Sequence, residues 1–435
     1  MFKTMVEAVK MKDTRRKIII TLSLLLIYRL GAFIPVPGID PYMFGNQMAE
    51  SGAANFLGIM SSLAGGALAN GAILALGVGP YITSSIVMQL LTIAIPRLEK
   101  LSKQGDEGRR KLAVYTRYVA LFMALAQAIA IVIALGAGQN IDSTLFGDVP
   151  QVLTQMLVIL VLVAGSMFTV WIGDKITEHG VGNGMSMLIF VGIMSTGVSA
   201  FFASLVAVGE DISNIATPIV FTATLAVMFF LVVFVDLGER RIAVNYARQV
   251  KGNKMYGGQS ANIPMKINAV GVIPIIFAFS ILNFPQLLMS IFWPNSDANI
   301  WFANNMGAGT WPNIVLTSLL ILGFSYFYAS LSFNPEDVAR QLQQNGGLII
   351  GFRPGRPTQD YLKRVHKRIT LFGALFLMFM ALIPSIIFMA VMGEGNELTN
   401  AFTSIALLII VSVALEFDKQ LQAQMLMKAH RGFLK

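Results

Sequence analysis

Few residues in this 435-residue chain are of types that do covalent chemistry, and those few are badly placed for it. There is no cysteine, so a thiolate nucleophile, a disulfide framework and a sulfur-ligated metal are all excluded. The three histidines, His179, His366 and His430, lie far apart beside charged stretches and suggest no metal cluster. No P-loop spelling is present, so the chain should not hydrolyse nucleotide itself. Neither a Ser/His/Asp arrangement nor a pair of carboxylates within an apolar segment points to hydrolysis. The reading is therefore not an enzyme, with no cofactor and no metal. The remaining chemistry is electrostatic: basic clusters, and one arginine, Arg29, set inside an apolar run.

The elements that carry these residues follow from composition. The chain is 55% hydrophobic and 13% charged, about half the charged fraction of a soluble domain, and the apolar excess must face lipid. A spanning helix needs about 20 mostly apolar residues. Candidates fall near 18–36, 72–95, 112–135, 151–172, 185–206, 219–237, 267–291, 314–333, 369–392 and 401–417. The first follows a basic run, as a signal peptide would. It is long, lacks a small-residue cleavage site and precedes nine similar segments, so it is taken as a span.

Charge placement tests the count. Apart from Arg29, and Arg117 in the first turns of the third span, every Lys and Arg falls before the first span, between even and odd spans, or after the last. Stretches 30–96, 118–174, 176–239, 267–339 and 369–418 hold none. The positive-inside rule then puts both termini in the cytoplasm. This divides the chain into a cytoplasmic N-terminus (1–17), a half of five spans (18–206), a second half of five (207–417) and a cytoplasmic tail (418–435).

Three features bear on mechanism. The connection 37–71 contains 55–68, apolar and rich in Gly, Ala and Ser. It is too short to span, and either re-enters the protein or packs at the interface. Gly77-Val78-Gly79-Pro80-Tyr81-Ile82 is echoed by Gly271-Val272-Ile273-Pro274-Ile275-Ile276 in the second span of the other half, as an inverted-topology repeat would give. Two basic connections, 238–266 and 334–368, are longer than headgroup anchoring requires, which makes room for a docked partner. Coupled transporters bury ionisable groups at mid-depth, and these spans nearly lack them. The alternative reading is a secondary transporter of a small solute.

At these same residues the sequence resembles the SecY family, the pore subunits of bacterial protein translocons, along its whole length. The motifs are Pro80-Tyr81-Ile82-Thr83-Ser84-Ser85-Ile86 with Gln89-Leu90-Leu91, and Ile176-Thr177-Glu178-His179-Gly180-Val181-Gly182-Asn183-Gly184. Gln259-Ser260 ahead of Gly271-Val272-Ile273-Pro274, and Arg353-Pro354-Gly355, complete them. The resemblance implies an all-α polytopic membrane protein: ten transmembrane helices in two pseudo-symmetric inverted halves, a clamshell around a central hourglass pore. It implies a mid-membrane ring of aliphatic side chains at Ile82, Ile86, Met185, Ile189, Ile276 and Ile409. Met185 replaces the usual β-branched residue, yet it is flexible enough to fill space. Ile82 and Ile86, like Met185 and Ile189, are four apart and share a helix face. Such a collar excludes water and ions by dewetting.

By the same resemblance the plug comprises Asn55, Phe56, Leu57, Gly58, Ile59, Met60, Ser61, Ser62, Leu63, Ala64, Gly65, Gly66, Ala67 and Leu68. Spans 2 and 3 face spans 7 and 8 across a lateral gate, where Ser84, Ser85 and Gln89 either soften the seam or make ordinary interhelical contacts. The long loops dock the SecA motor ATPase or the ribosome through Arg353, Arg356, Lys254, Arg248 and Lys251. Asn253 stands where a second basic residue is common, which weakens the first loop's share. The implied function is the channel subunit of the Sec translocase in the bacterial plasma membrane. Implied partners are SecE, SecG, SecA, the ribosome, signal sequences, precursor polypeptides and membrane lipids.

Overall fold

Long apolar runs with helix-forming residues leave the backbone no alternative in lipid but to satisfy its own hydrogen bonds, and the chain is mostly helical. The computed structural model describes residues 10–37, 39, 61, 64–134, 151–210, 215–246, 249–251, 254–256, 260–268, 271, 273–293, 296–306, 310–392 and 404–432. In chain order the helices are α1 (Lys12–Gly31), α2 (Gly79–Ala94), α3 (Pro96–Ser102), α4 (Asp106–Ala134), α5 (Gln151–His179), α6 (Gly184–Glu210) and α7 (Ala216–Leu237). They continue as α8 (Ile273–Phe292), α9 (Asp297–Asn305), α10 (Trp311–Ser332), α11 (Pro335–Gln344), α12 (Arg356–Met392) and α13 (Ser404–Gly432).

Among the described residues six helices are long and apolar enough to cross a membrane: α4, α5, α6, α7, α10 and α12. A seventh counts if α2 and α3, which meet at 106°, are taken as one span. α1 and α13 fall short because each is apolar over only part of its length, α1 opening on Lys12–Lys17 and α13 turning polar from Glu416. α8 contributes a shorter apolar stretch, Ile273–Gln286. The outer faces are what lipid demands. On α7, Val227, Phe230, Phe234 and Leu237 are all exposed along one stripe, an apolar surface that water would not tolerate. This is a multi-pass membrane protein.

Packing divides the interior into separate apolar clusters. One joins Ala124, Ala128 and Ile131 of α4 to Val158 and Leu162 of α5, with Val36, Leu68 and Leu76 beside them. Another joins Met228 and Val232 of α7, Ile275 and Ala278 of α8, Ile321 of α10, Leu377 and Met380 of α12, and Leu408 of α13. A third draws on both sets of helices at once and is described below. Two ion pairs tie charged helix ends together. Arg117 of α4 meets Asp174 of α5 at 2.7 Å, and Lys419 of α13 pairs with Asp236 of α7.

The expectation of an all-α chain needs one correction. The two long polar connections fold together around a small antiparallel sheet. Its strands are β1 (Glu239–Tyr246), β4 (Ser260–Lys266) and β5 (Gly347–Ile349), in the order β4-β1-β5. β2 (Gln249–Lys251) and β3 (Lys254–Tyr256) form a separate hairpin. Alternation explains β1: Arg241 is exposed while Ile242 and Val244 are buried, as a strand with one covered face requires. Val244 stands opposite Ile349 and Ile242 opposite Ile263. Met265, Ala339, Leu342, Leu362 and Val365 complete a core of the module's own. α12 runs for 37 residues, about 55 Å, so the polar start of this helix and the apolar span beyond it form one rod.

Candidate functional site

The third cluster is the largest among the described residues in which side chains from both sets of helices converge. Its buried members include Leu25 and Tyr28 of α1, Ile172 and Ile176 of α5, Ile189 and Ile193 of α6, and Ile409 and Val413 of α13. Ile82 of α2, Met185 of α6 and Ile276 of α8 are half-buried against it. Five of the six residues expected to line a ring therefore meet, carried by α2, α6, α8 and α13. Ile86 does not join them: it is buried one turn further along α2, outside this cluster. No cluster member bears a charge, and the one hydroxyl, that of Tyr28, donates to Ala64 O.

The segment Ile176–Gly184 sets the start of α6, and its residue types have structural causes. Asn183 Oδ1 accepts from Met185 N at 3.1 Å, capping the helix. Thr177 Oγ1 accepts from Gly184 N at 2.9 Å, and Thr21 Oγ1 on α1 accepts from Val181 N at 3.0 Å. A Cβ at Gly184 would lie 1.9 Å from the carbonyl oxygen of Gly173, which is backbone and cannot step aside. Gly184→Ala should therefore displace the N-terminus of α6, carrying Met185 and Ile189 out of the cluster. We expect a loss of about 3 kcal/mol, read as a lowered unfolding temperature in detergent, against almost no change for Ser186→Ala on the same turn.

The two echoed segments share two features among the described residues. Gly77 and Gly271 both have positive φ, +53° and +66°, and each precedes a helix with proline in its first turn. α2 packs on α4, α8 packs on α10, and α8 meets α4 across the two sets. Of the residues expected at that seam, Ser84 is buried and its hydroxyl donates to Tyr81 O at 2.7 Å within α2, so it does not bridge helices. Ser85 and Gln89 are half-buried. Of segment 55–68, Ser61, Ala64, Gly65, Gly66, Ala67 and Leu68 are described and mostly buried; the other positions lie outside the described residues.

On the polar module Arg353 is exposed and held by its neighbours rather than by its own side chain. Phe352 stacks on Tyr361 of α12 with centroids 4.2 Å apart, and Thr358 Oγ1 donates to Arg353 O at 2.8 Å. Arg356 begins α12 and is also exposed. Lys251 and Lys254 are register partners at the end of the β2–β3 hairpin, while Arg248 lies outside the described residues. Sequence reasoning missed the sheet that joins these loops; the signal was the alternation in Glu239–Tyr246.

The SecY family model matches residues 72–417. The chain belongs to the SecY family. It is similar to the protein translocase subunit SecY of Mycobacterium bovis, 39% identical over 455 aligned positions that cover all of both chains. Among solved structures it shares its fold with a SecY whose plug domain is described as stabilising the closed state of the translocation channel. That match has a TM-score of 0.66, 19% identity, and coverage of 96% of this chain and 94% of the other. Sec61 from a canine ribosome–channel complex is similar at a TM-score of 0.62 and 19% identity, with the same coverage. The SecY fold thus accounts for both sets of helices, and for an uncharged interior cluster where they meet.

Proposed function

We propose that this chain is the central channel-forming subunit of a Sec protein translocase. It passes unfolded polypeptides across the bacterial plasma membrane and releases transmembrane segments sideways into lipid. The observation that carries the reading is the cluster of Ile82, Met185, Ile189, Ile276 and Ile409, contributed by both sets of helices. An aliphatic constriction seals against ions by dewetting and parts around a peptide without polar contacts that would hold it. The name of the full-length relative, translocase subunit, agrees. Solute transport finds no support: the interior cluster carries no charged side chain among the described residues, and the one hydroxyl in it, that of Tyr28, is spent on Ala64 O.

In this reading ten spans form two inverted halves, 18–206 and 207–417, with both termini cytoplasmic. The matching positive-φ glycines at 77 and 271 support the pseudo-symmetry. The seam between α2/α4 and α8/α10 is the lateral gate, and 55–68 is the plug. The module carrying Arg353, Arg356, Lys254, Lys251 and Arg248 docks SecA or the ribosome; the solved Sec61 relative comes from a ribosome complex. SecE and SecG complete the translocon.

The test is a photo-crosslinking residue at Ile276, with a second at Phe284, an exposed position on the same helix. With a precursor stalled midway in membranes containing SecA, position 276 should crosslink to the precursor and position 284 should not. A stalled precursor that crosslinks at neither would refute the channel reading.

A further inference from the structure

Arg29 lies within the first predicted span, and unlike Arg117, which pairs with Asp174, it has no carboxylate partner among the described residues; a conducting ring has no use for it. A guanidinium set among apolar spans is costly, and where one is kept it has a partner. Here Nη1 donates to the carbonyl of Gly65 at 2.5 Å, and the guanidinium carbon lies 4.4 Å from the centre of the Phe33 ring. The preceding residue repeats the contact: Tyr28, fully buried, donates its hydroxyl to Ala64 O at 3.4 Å. Two consecutive carbonyls at the end of segment 55–68 are thus held by two consecutive side chains of α1.

The backbone is shaped for this. Gly65 has φ +73°, and a Cβ there would lie 3.1 Å from Gly192 Cα on α6 and 3.2 Å from Arg29 Nη1. The stretch from 64 to 71 also closes on itself, Gly66 N donating to Ser61 O at 2.7 Å and Ala69 N to Ser61 Oγ at 3.1 Å. Beside the contacts from α1, Ala64 and Ala67 of the stretch pack on Ala32 and Ala72, while Leu68 is buried in the α4–α5 cluster. At positions 64 and 65 methyl groups and glycine offer little interlocking, so the polar contacts from α1 are what hold this part of the stretch.

We infer that Arg29 is a latch: by gripping the Gly65 carbonyl it holds the end of the plug segment in its seat, and the segment leaves only when that bond opens. This rests on reading 55–68 as the plug. A planar fork that both donates to a carbonyl and stacks on Phe33 suits the role better than an ammonium.

The absence of cysteine allows a clean test, because one introduced thiol is the only one present. Ala67→Cys reports on the seat and Ala124→Cys on α4 is the control; both positions are fully buried. Maleimide labelling is followed in membranes opened to both faces, with no precursor present. Arg29→Gln should speed labelling at position 67 about tenfold or more and leave position 124 unchanged, with Arg29→Lys in between. An unchanged rate at 67 overturns the latch. So does faster labelling at both positions, which would make Arg29 a general packing residue. No translocating chain takes part, so this result and the crosslink at Ile276 can fail independently.

Discussion

Replacing Ile82, Ile189 and Ile276 together with serine should raise the resting ion conductance of proteoliposomes about tenfold or more, because a wetted constriction no longer excludes ions. The three residues come from α2, α6 and α8, so the exchange opens the cluster on several sides rather than at one helix. Each serine removes branched apolar bulk and adds a hydroxyl that can hold water. Single exchanges should leak far less, since Met185, unbranched and flexible, lies in the same cluster and can move into a gap. The control lies one residue away. Ile275 packs with Ile321 in the cluster confined to α7, α8, α10, α12 and α13. Ile275→Ser with Ile321→Ser should lower thermal stability by several kcal/mol and leave conductance near its resting level. Equal leakage from both variants, or none from the triple, would remove the constriction from this cluster.

The parts of the fold legible in sequence were those written in hydropathy. Spans were expected in ten apolar segments; among the described residues six hold a helix long and apolar enough to cross a membrane, seven if α2 and α3 count as one. Register was harder. Ile82 and Ile86 share a face of α2, but a helix crossing a cluster obliquely presents only one turn to it, and here that is the turn of Ile82. Spacing along one helix says nothing about where the others cross it. Ser84 shows a second limit: a hydroxyl on a helix can satisfy itself on the carbonyl three residues back, and this one does. The sheet was hidden because its strands are short and its partners distant in sequence, β1 and β5 being about a hundred residues apart. Hydropathy also misplaced the start of α12. Its first turns are polar, yet Leu362 and Val365 are buried in the module, so the helix begins at Arg356 rather than near 369.

That continuity gives the docking module its mechanical meaning, and Arg353 is where it is best tested. Arg353→Glu should slow SecA-driven translocation on the order of a hundredfold while leaving resting conductance and thermal stability unchanged. The size follows from turning an attractive charge-assisted contact at an interface anchor into a repulsive one, about 3 kcal/mol. The selectivity follows from the geometry. The exposed guanidinium has no hydrogen bond or ion pair among the described residues, so the fold loses nothing when it is replaced. Its backbone stays fixed by Thr358 and by the Phe352–Tyr361 stack. Arg353→Lys separates two sources of attraction. If the residue merely binds phospholipid headgroups, an ammonium serves and translocation is preserved. If it forks onto a carboxylate or a phosphate of a docked partner, lysine loses the second hydrogen bond and most of the rate. Arg353 lies just before α12, which continues into the membrane beside α10 and α13. Of these two neighbours α13 carries Ile409 of the aliphatic cluster, which links α12 to that cluster through one helix contact.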